Sequence, residues 1–149
     1  MKEHTAKHIM TKKVITIGKD ATVKELSELL IKNKISGVPV VDDNKKVIGM
    51  ITEADIIKKE SSLPYPLSFG FAFIRDLSSL TKTTEEFLKT PVEEVMTRNV
   101  KVVNEDTPLS KIVNIMINNN INRVPVVDKN NRLVGIITRA DIIRSMISK

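Results

Sequence analysis

Two short segments place a hydroxyl three residues ahead of a carboxylate: Thr52-x-x-Asp55 and Thr138-x-x-Asp141. The plainest use of this spacing is a helix N-cap, with Thr at the cap and the acid in the first turn. The reciprocal capping box favours Glu or Gln at the acidic position, whose longer reach returns to the cap N–H. Both segments carry the shorter Asp. An Asp at the mouth of a cleft can also accept hydrogen bonds from two ribose hydroxyls. The Thr hydroxyl and the free N–H groups of a helix start suit a phosphate. Capping and ligand contact are compatible at one carboxylate. Elsewhere the chemistry is thin. His4 and His8 have the i, i+4 spacing of a metal pair, but no third ligand is near in sequence and the chain end is an exposed setting. There is no Cys, no Gly-rich phosphate loop and no repeated acid/base pair, so no catalytic residue and no metal site is expected.

The paired segments belong to a larger repeat. Met10-Thr11 recurs as Met96-Thr97, and Val38-Pro39-Val40-Val41-Asp42 as Val124-Pro125-Val126-Val127-Asp128. Gly49, Ile51, Thr52, Ala54, Asp55, Ile56 and Ile57 recur as Gly135, Ile137, Thr138, Ala140, Asp141, Ile142 and Ile143. One constant offset of about 86 residues aligns them all without a gap, which marks an internal duplication. The organisation is a first repeat over 1–60, a connecting segment over 61–90 and a second repeat over 91–149.

Each repeat predicts the same elements. Val14–Ile17 and Val100–Val103 read as short strands. Val23, Leu26, Leu29 and Leu30, and then Leu109, Ile112, Ile115 and Met116, have the spacing of one helical face. Thr22 with Glu25 resembles a capping box, and Pro108 suits a first helical position. Two apolar runs follow in each repeat, split by Asp42-Asp43-Asn44-Lys45 or Asp128-Lys129-Asn130-Asn131, as in hairpins with polar turns. A final helix opens at Thr52 or Thr138. The fold class is α+β, two β-α-β-β-α motifs. A unit of about 50 residues seldom buries enough surface alone, so the two are expected to pack about a pseudo-two-fold axis with a ligand cleft between them. Pro39 and Pro125 fall inside apparent strands, where proline lacks a ladder donor. Either these strands are edges or bulged, or the missing pairing leaves neighbouring backbone free to face a base.

Composition narrows the function classes. The 149 residues carry a net charge of +6, but the excess of Lys and Arg is divided between the two repeats with no basic run longer than a pair. Aromatics are 3% and sit mostly at Tyr65, Phe69, Phe71 and Phe73. A nucleic-acid surface favours a basic stripe, often with interleaved aromatics, so a solvated surface is the better reading. The longest charge-free stretch, Ser61 to Ile74, contains two prolines and is too short to span a bilayer. No signal-peptide pattern opens the chain, and a cytoplasmic location is expected. The aromatics of the connecting segment either pack on the repeats or anchor a partner. Helical turns are expected around Phe73, Leu77, Leu80 and Phe87-Leu88.

The order β-α-β-β-α, with Val-Pro-Val-Val-Asp and Gly-x-Ile-Thr-x-Ala-Asp, resembles the CBS motif, named for cystathionine β-synthase. Two tandem copies resemble a CBS pair, or Bateman module. The resemblance implies binding of AMP, ADP, ATP or S-adenosylmethionine as a regulatory ligand rather than a catalytic cofactor. It implies ribose contact for Asp55 and Asp141 and phosphate contact for Thr52 and Thr138. It also implies adenine pockets walled by Ile35, Val38 and Pro39 and by Ile121, Val124 and Pro125, with backbone at Ile15 and Lys101 reading the adenine edge. Plain core is the competing reading of these apolar residues. By the same resemblance each cleft draws on both motifs. One site combines Ile15, Ile35 and Ser36 with Asn122, Arg123, Thr138 and Asp141. The other combines Lys101 and Ile121 with Ser36, Gly37, Val38, Pro39, Thr52 and Asp55. Arg123 stands where the first repeat has Gly37, and a basic residue there often meets ligand phosphate in the family; a solvated Arg is the alternative. The expected protein is a non-enzymatic sensor, a homodimer using the faces of Ile56-Ile57 and Ile142-Ile143, that signals to a regulated partner through the orientation of its repeats. A nucleic-acid-binding protein, or a structural adaptor with vestigial clefts, are the competing functions.

Overall fold

Alternating turn chemistry and apolar runs produce the same set of elements twice. The structure, a computed structural model, describes residues 3–61 and 84–147, with backbone only for 59–61. The helices are α1 (Ala6–Ile9), α2 (Val23–Asn33), α3 (Glu53–Ser61), α4 (Leu109–Asn119) and α5 (Arg139–Ile147). The strands are β1 (Ile17–Gly18), β2 (Gly37–Val41), β3 (Val47–Thr52), β4 (Val103–Asn104), β5 (Arg123–Val127) and β6 (Leu133–Thr138). They form two three-stranded sheets, ordered β1-β2-β3 and β4-β5-β6. The protein is therefore α+β with a duplicated β-α-β-β-α order. Of the connecting segment, residues 84–88 are helical, and Phe87 is buried. Tyr65, Phe69, Phe71, Phe73, Leu77 and Leu80 lie outside the described residues.

The amphipathic helices form as their spacing dictates. Val23, Leu26 and Leu30 of α2 are buried, as are Ile112 and Met116 of α4. Thr22 accepts a hydrogen bond from the Glu25 N–H at 3.1 Å. Pro108 sits one place earlier than expected, as the N-cap of α4 with extended ψ, and its carbonyl accepts from Ile112. Lys34 and Asn120 end the two helices in the left-handed conformation. In both hairpins the aspartate that opens the turn closes it through its own side chain. Asp42 Oδ1 accepts from the N–H of Asn44 and Lys46, and Asp128 Oδ1 from those of Asn130 and Arg132. The Arg132 N–H is the main cause holding the Asp128 carboxyl below the usual carboxylate range.

Two expectations are corrected. The first strands were placed at Val14–Ile17 and Val100–Val103, but β1 and β4 begin only at Ile17 and Val103. The cause is visible in the second sheet, where the parallel ladder runs Val103 to Val126 and Asn104 to Val127. One step earlier that ladder would reach Pro125, which has no N–H to give. The prolines are also not on edges: β5, like β2, is the central strand, and the ladder to β6 shifts register just after Pro125, between Val126 and Val127.

By contact the described residues divide into two compact units, one of residues 3–16, 41–48 and 99–147, the other of 17–40, 49–61 and 84–98. In the first, Ala6 of α1 is fully buried in a core with Val103, Ile112, Met116, Val124, Val126 and Ile137. Thr11 bridges to Ile136 of β6 through both backbone hydrogen bonds, at 2.8 and 3.0 Å. The segment opening repeat 1 is thus built onto the last strand of repeat 2. In the second unit the same exchange runs the other way, and Thr97 bridges to Met50 of β3 by two bonds of 2.9 Å. Glycine makes room for each. A Cβ at Gly135 would fall on Met10 Sδ and within 2.8 Å of Met10 Cγ; one at Gly49 would meet Met96 in the same way. Glu3 completes the docking of the first segment. Pro108 has no side-chain oxygen with which to cap α4, and the Glu3 carboxylate accepts from the Ser110 N–H at 2.6 Å instead. Its hydrogen bonds from Ser110 hold the Glu3 carboxyl below the usual range.

Two outcomes follow from this docking. Gly135→Ala should cost about 1–3 kcal/mol of stability, the usual range for overpacking, and Met10→Ala in the same chain should recover most of it; urea unfolding of both variants reads the difference. A Glu3 carboxyl lowered in the folded state stabilises the fold fully above the unfolded carboxylate value, and this contribution is lost as pH falls through the folded value. Melting temperatures of wild type and Glu3→Gln should therefore differ most near neutral pH and converge in acid, once the pH lies below the lowered folded value.

Candidate functional site

The end of each hairpin meets the start of the following helix, and both Asp residues sit in that first turn. In the first unit, Thr138 closes β6 opposite Arg123, and Asp141 lies in the first turn of α5. Asp141 Oδ2 accepts from the Thr138 N–H at 2.8 Å and from the Thr138 hydroxyl at 3.1 Å, while the Thr138 hydroxyl accepts from the Asp141 N–H at 3.3 Å. Asp141 Oδ1 accepts from the Thr11 hydroxyl at 3.0 Å and from Arg144 Nη1 at 2.8 Å. The residue is 4% exposed, the one buried charged residue among those described. Four donors answer its carboxylate, which equals the lone-pair sites such a group offers.

The second unit repeats the arrangement more loosely. Asp55 Oδ2 accepts from the Thr52 N–H at 2.9 Å and the Thr52 hydroxyl at 3.2 Å. Its Oδ1 accepts from the Thr97 hydroxyl at 3.4 Å, and the residue is half-buried. The short acid thus does return to the cap N–H in both copies. The cost of its reduced reach is met by making the strand's last residue the cap, so that the N–H to be satisfied lies close.

The other expected site residues divide between the two units, Ile15, Lys101, Ile121, Asn122 and Arg123 in the first and Ile35 to Pro39 in the second. Beside Asp141, Asn122 is exposed and its carbonyl accepts from the Arg139 N–H at 3.2 Å, fixing the loop before β5 to the start of α5. Arg123 is half-buried at the head of β5, and Ile121 is half-buried with its N–H on the Met116 carbonyl. Lys101 is exposed and Ile15 half-buried. In the second unit the Ser36 carbonyl accepts from the Glu53 N–H at 2.8 Å. Ile35 is half-buried, whereas Gly37, Val38 and Pro39 are buried in β2. The first unit has two small hollows, of which one reaches Asp141 and the other none of the expected site residues. One, of about 150 Å³, is lined by Asp141 with Arg144, Ser145, His4, His8 and Ile9. The other, of about 260 Å³, is lined by Lys12, Val14, Thr16, Val41, Lys45, Leu133 and Val134. The first is smaller than pockets that enclose drug-sized ligands. His8 Nδ1 accepts from the Thr5 N–H at 3.3 Å, closing the turn of α1, and no group of three or more metal-ligating side chains occurs among the described residues. No helix among them is long and apolar enough to cross a membrane.

Three contacts to the two carboxylates escaped the motif reading: Thr11 on Asp141, Thr97 on Asp55, and Arg144 on Asp141. The Met-Thr doublet was visible as a repeat marker, and the i, i+3 spacing of Asp141 and Arg144 is an ion-pair spacing. Neither signal says which carboxylate a threonine 130 positions away will reach.

Fold and site together define a tandem α+β repeat protein with a hydroxyl–carboxylate pair at the helix mouth of each copy. The chain belongs to the CBS-domain family, whose profile matches residues 6–62 and 92–148. It is 37% identical over 147 residues to the uncharacterized protein MJ1426 of Methanocaldococcus jannaschii, covering 91% of this chain and 88% of that one. Among solved structures it resembles CBSX2 in complex with AMP, at a TM-score of 0.73, with 26% identity over 97% of this chain and 96% of that one. It also resembles the CBS domain pair of protein MJ0100 in complex with 5'-methylthioadenosine and S-adenosyl-L-methionine, at a TM-score of 0.70, with 32% identity over 97% of each chain.

The unequal hydrogen bonding of the two carboxylates gives a test. Asp141→Ala should lower stability by about 1–2 kcal/mol, at the upper end for a helix cap, and Asp55→Ala by less. Denaturant midpoints at unchanged m-value measure both, and equal losses would contradict the asymmetry.

Proposed function

We propose that this protein is an adenosine-ligand-binding regulatory module without catalytic activity of its own. The observation that carries the reading is the duplicated hydroxyl–carboxylate pair at a helix start, Thr52 with Asp55 and Thr138 with Asp141. Relatives of the same fold held AMP, or 5'-methylthioadenosine and S-adenosyl-L-methionine. In this reading Asp55 and Asp141 accept ribose hydroxyls. Thr52 and Thr138, at the positive ends of the two helix dipoles, face phosphate or its replacement. The adenine ring lies against Ile35, Val38 and Pro39 or against Ile121, with backbone near Ile15 and Lys101. Ser36, Gly37 and Asn122 line the approach.

Arg123 makes the two copies chemically different. A guanidinium at the head of β5, opposite Thr138, favours a phosphorylated ligand, whereas Gly37 offers no charge and suits an uncharged tail. A charge-assisted hydrogen bond contributes roughly 1.5–3 kcal/mol, on the order of 10- to 100-fold in affinity. Ligand occupancy shifts the population of conformations that a partner protein reads. The protein acts as a cytoplasmic homodimer in this scheme, and the half-exposed to exposed Ile56-Ile57 and Ile142-Ile143 faces supply the dimer contact.

A thermal-shift panel of AMP, adenosine, ADP, ATP, S-adenosylmethionine, NAD and GTP tests the reading. A ligand at about 100 times its dissociation constant stabilises by roughly 2.7 kcal/mol, a rise of about 5–10 °C at this size. Adenosyl compounds should give that rise and GTP should not. Arg123→Ala should remove most of the AMP shift and little of the adenosine shift. No shift with any adenosyl compound would refute the function, and equal loss for AMP and adenosine would refute the role of Arg123.

A further inference from the structure

Asp141 has no spare lone pair for a ribose hydroxyl. Its Oδ2 is committed to the strand end and helix cap at Thr138, and its Oδ1 holds Arg144 and Thr11. One donor must leave before a diol can bind. The Arg144 bond is shorter, charge-assisted and made within one helix. The Thr11 bond is neutral, and Thr11 is exposed, so its hydroxyl can turn to water at little cost. The Thr138 hydroxyl is also neutral, but it is tied into the helix cap by the Asp141 N–H that it accepts, which leaves Thr11 as the donor that yields to an unphosphorylated nucleoside. We propose that the Thr11 hydroxyl and a ligand's ribose hydroxyl compete for the same oxygen of Asp141, so that nucleoside binding opposes docking of the Thr11 segment on β6. The proposal rests on the reading of Asp141 as a ribose acceptor and names the element that responds to it.

The responding element is well defined. The Thr11 backbone is bonded in both directions to Ile136, Met10 is seated over Gly135, and α1 inserts Ala6 into the core of the same unit. Loss of the side-chain bond therefore loosens a bridge whose two backbone bonds are its nearest neighbours. The device is built twice, since Thr97 stands on Asp55 and bridges to Met50 in the second unit. There the hydroxyl contact is 3.4 Å rather than 3.0 Å, so the coupling is weaker. By linkage, whatever pulls the segment away strengthens ligand binding by the same factor.

The test uses the full chain, adenosine as probe, calorimetric titration and residue-resolved amide exchange. Thr11→Val keeps the shape and removes the hydroxyl; Thr11→Ser keeps the hydroxyl. In wild type, adenosine should speed exchange at the Thr11 and Ile136 amides. Thr11→Val should show that faster exchange without ligand and bind adenosine about 3- to 10-fold more tightly, the range of one neutral hydrogen bond. Thr11→Ser should behave as wild type. Adenosine binding with unchanged or slower exchange at those amides, or weaker binding by Thr11→Val, overturns this proposal alone. Failure of wild type to bind adenosine overturns it together with the reading of Asp141 as a ribose acceptor.

Discussion

A carboxylate removed from water must have its lone pairs answered by donors, or the cost of burial runs to several kcal/mol. At Asp141 the answers come from three separate stretches: Thr138 at the end of β6, Arg144 one turn along α5, and Thr11 from the far end of the sequence. One side chain thereby fixes where a strand stops, where a helix starts and where a distant segment docks. Asp55 repeats the arrangement with Thr52 and Thr97. This constraint also places the chemically useful group. A cap at the strand end holds the acid at the head of the helix, where the helix dipole favours an anion.

Around that centre the packing follows from what each position lacks. Gly135 and Gly49 lack a Cβ, and a methionine fills the space. Pro108 lacks a capping oxygen, and Glu3 provides one. Pro125 lacks an N–H, and the parallel ladder begins one residue later. At the glycines and at Pro108 the absence is answered by a residue from another part of the chain. The two units are for this reason made of interleaved segments rather than of the two repeats as the sequence divides them.

What was legible in the sequence was local. Periodicity placed α2 and α4 on their buried faces, polar turns placed both hairpins, and the Thr-x-x-Asp spacing placed the caps. The first strands were misplaced because β-branched residues at Val14 and Val100 signal a strand, whereas a ladder also needs a partner that can donate, and the neighbouring proline cannot. The prolines fit an edge strand, a bulge or a gap in pairing; the register shift beside Pro125 agrees with the bulge, and their central position could be known only once the strand order was. The exchange of Met10-Thr11 and Met96-Thr97 was hidden for a related reason. A duplicated doublet shows that a residue type matters in both copies, but no offset along the chain reveals which copy it serves. The saturated carboxylate at Asp141 follows from that exchange and was equally out of reach.

The interleaving has a consequence for how the chain acquires its structure. Ala6 is buried among Val103, Ile112 and Val124, roughly a hundred positions later. Contacts of such separation raise contact order, and folding slows as contact order rises. During synthesis the α1 segment emerges first yet has no core to enter until α4 and β5 have left the ribosome. For that interval Ala6 awaits the apolar residues that bury it. The burial of Ala6 thus waits on residues about a hundred positions further along the chain.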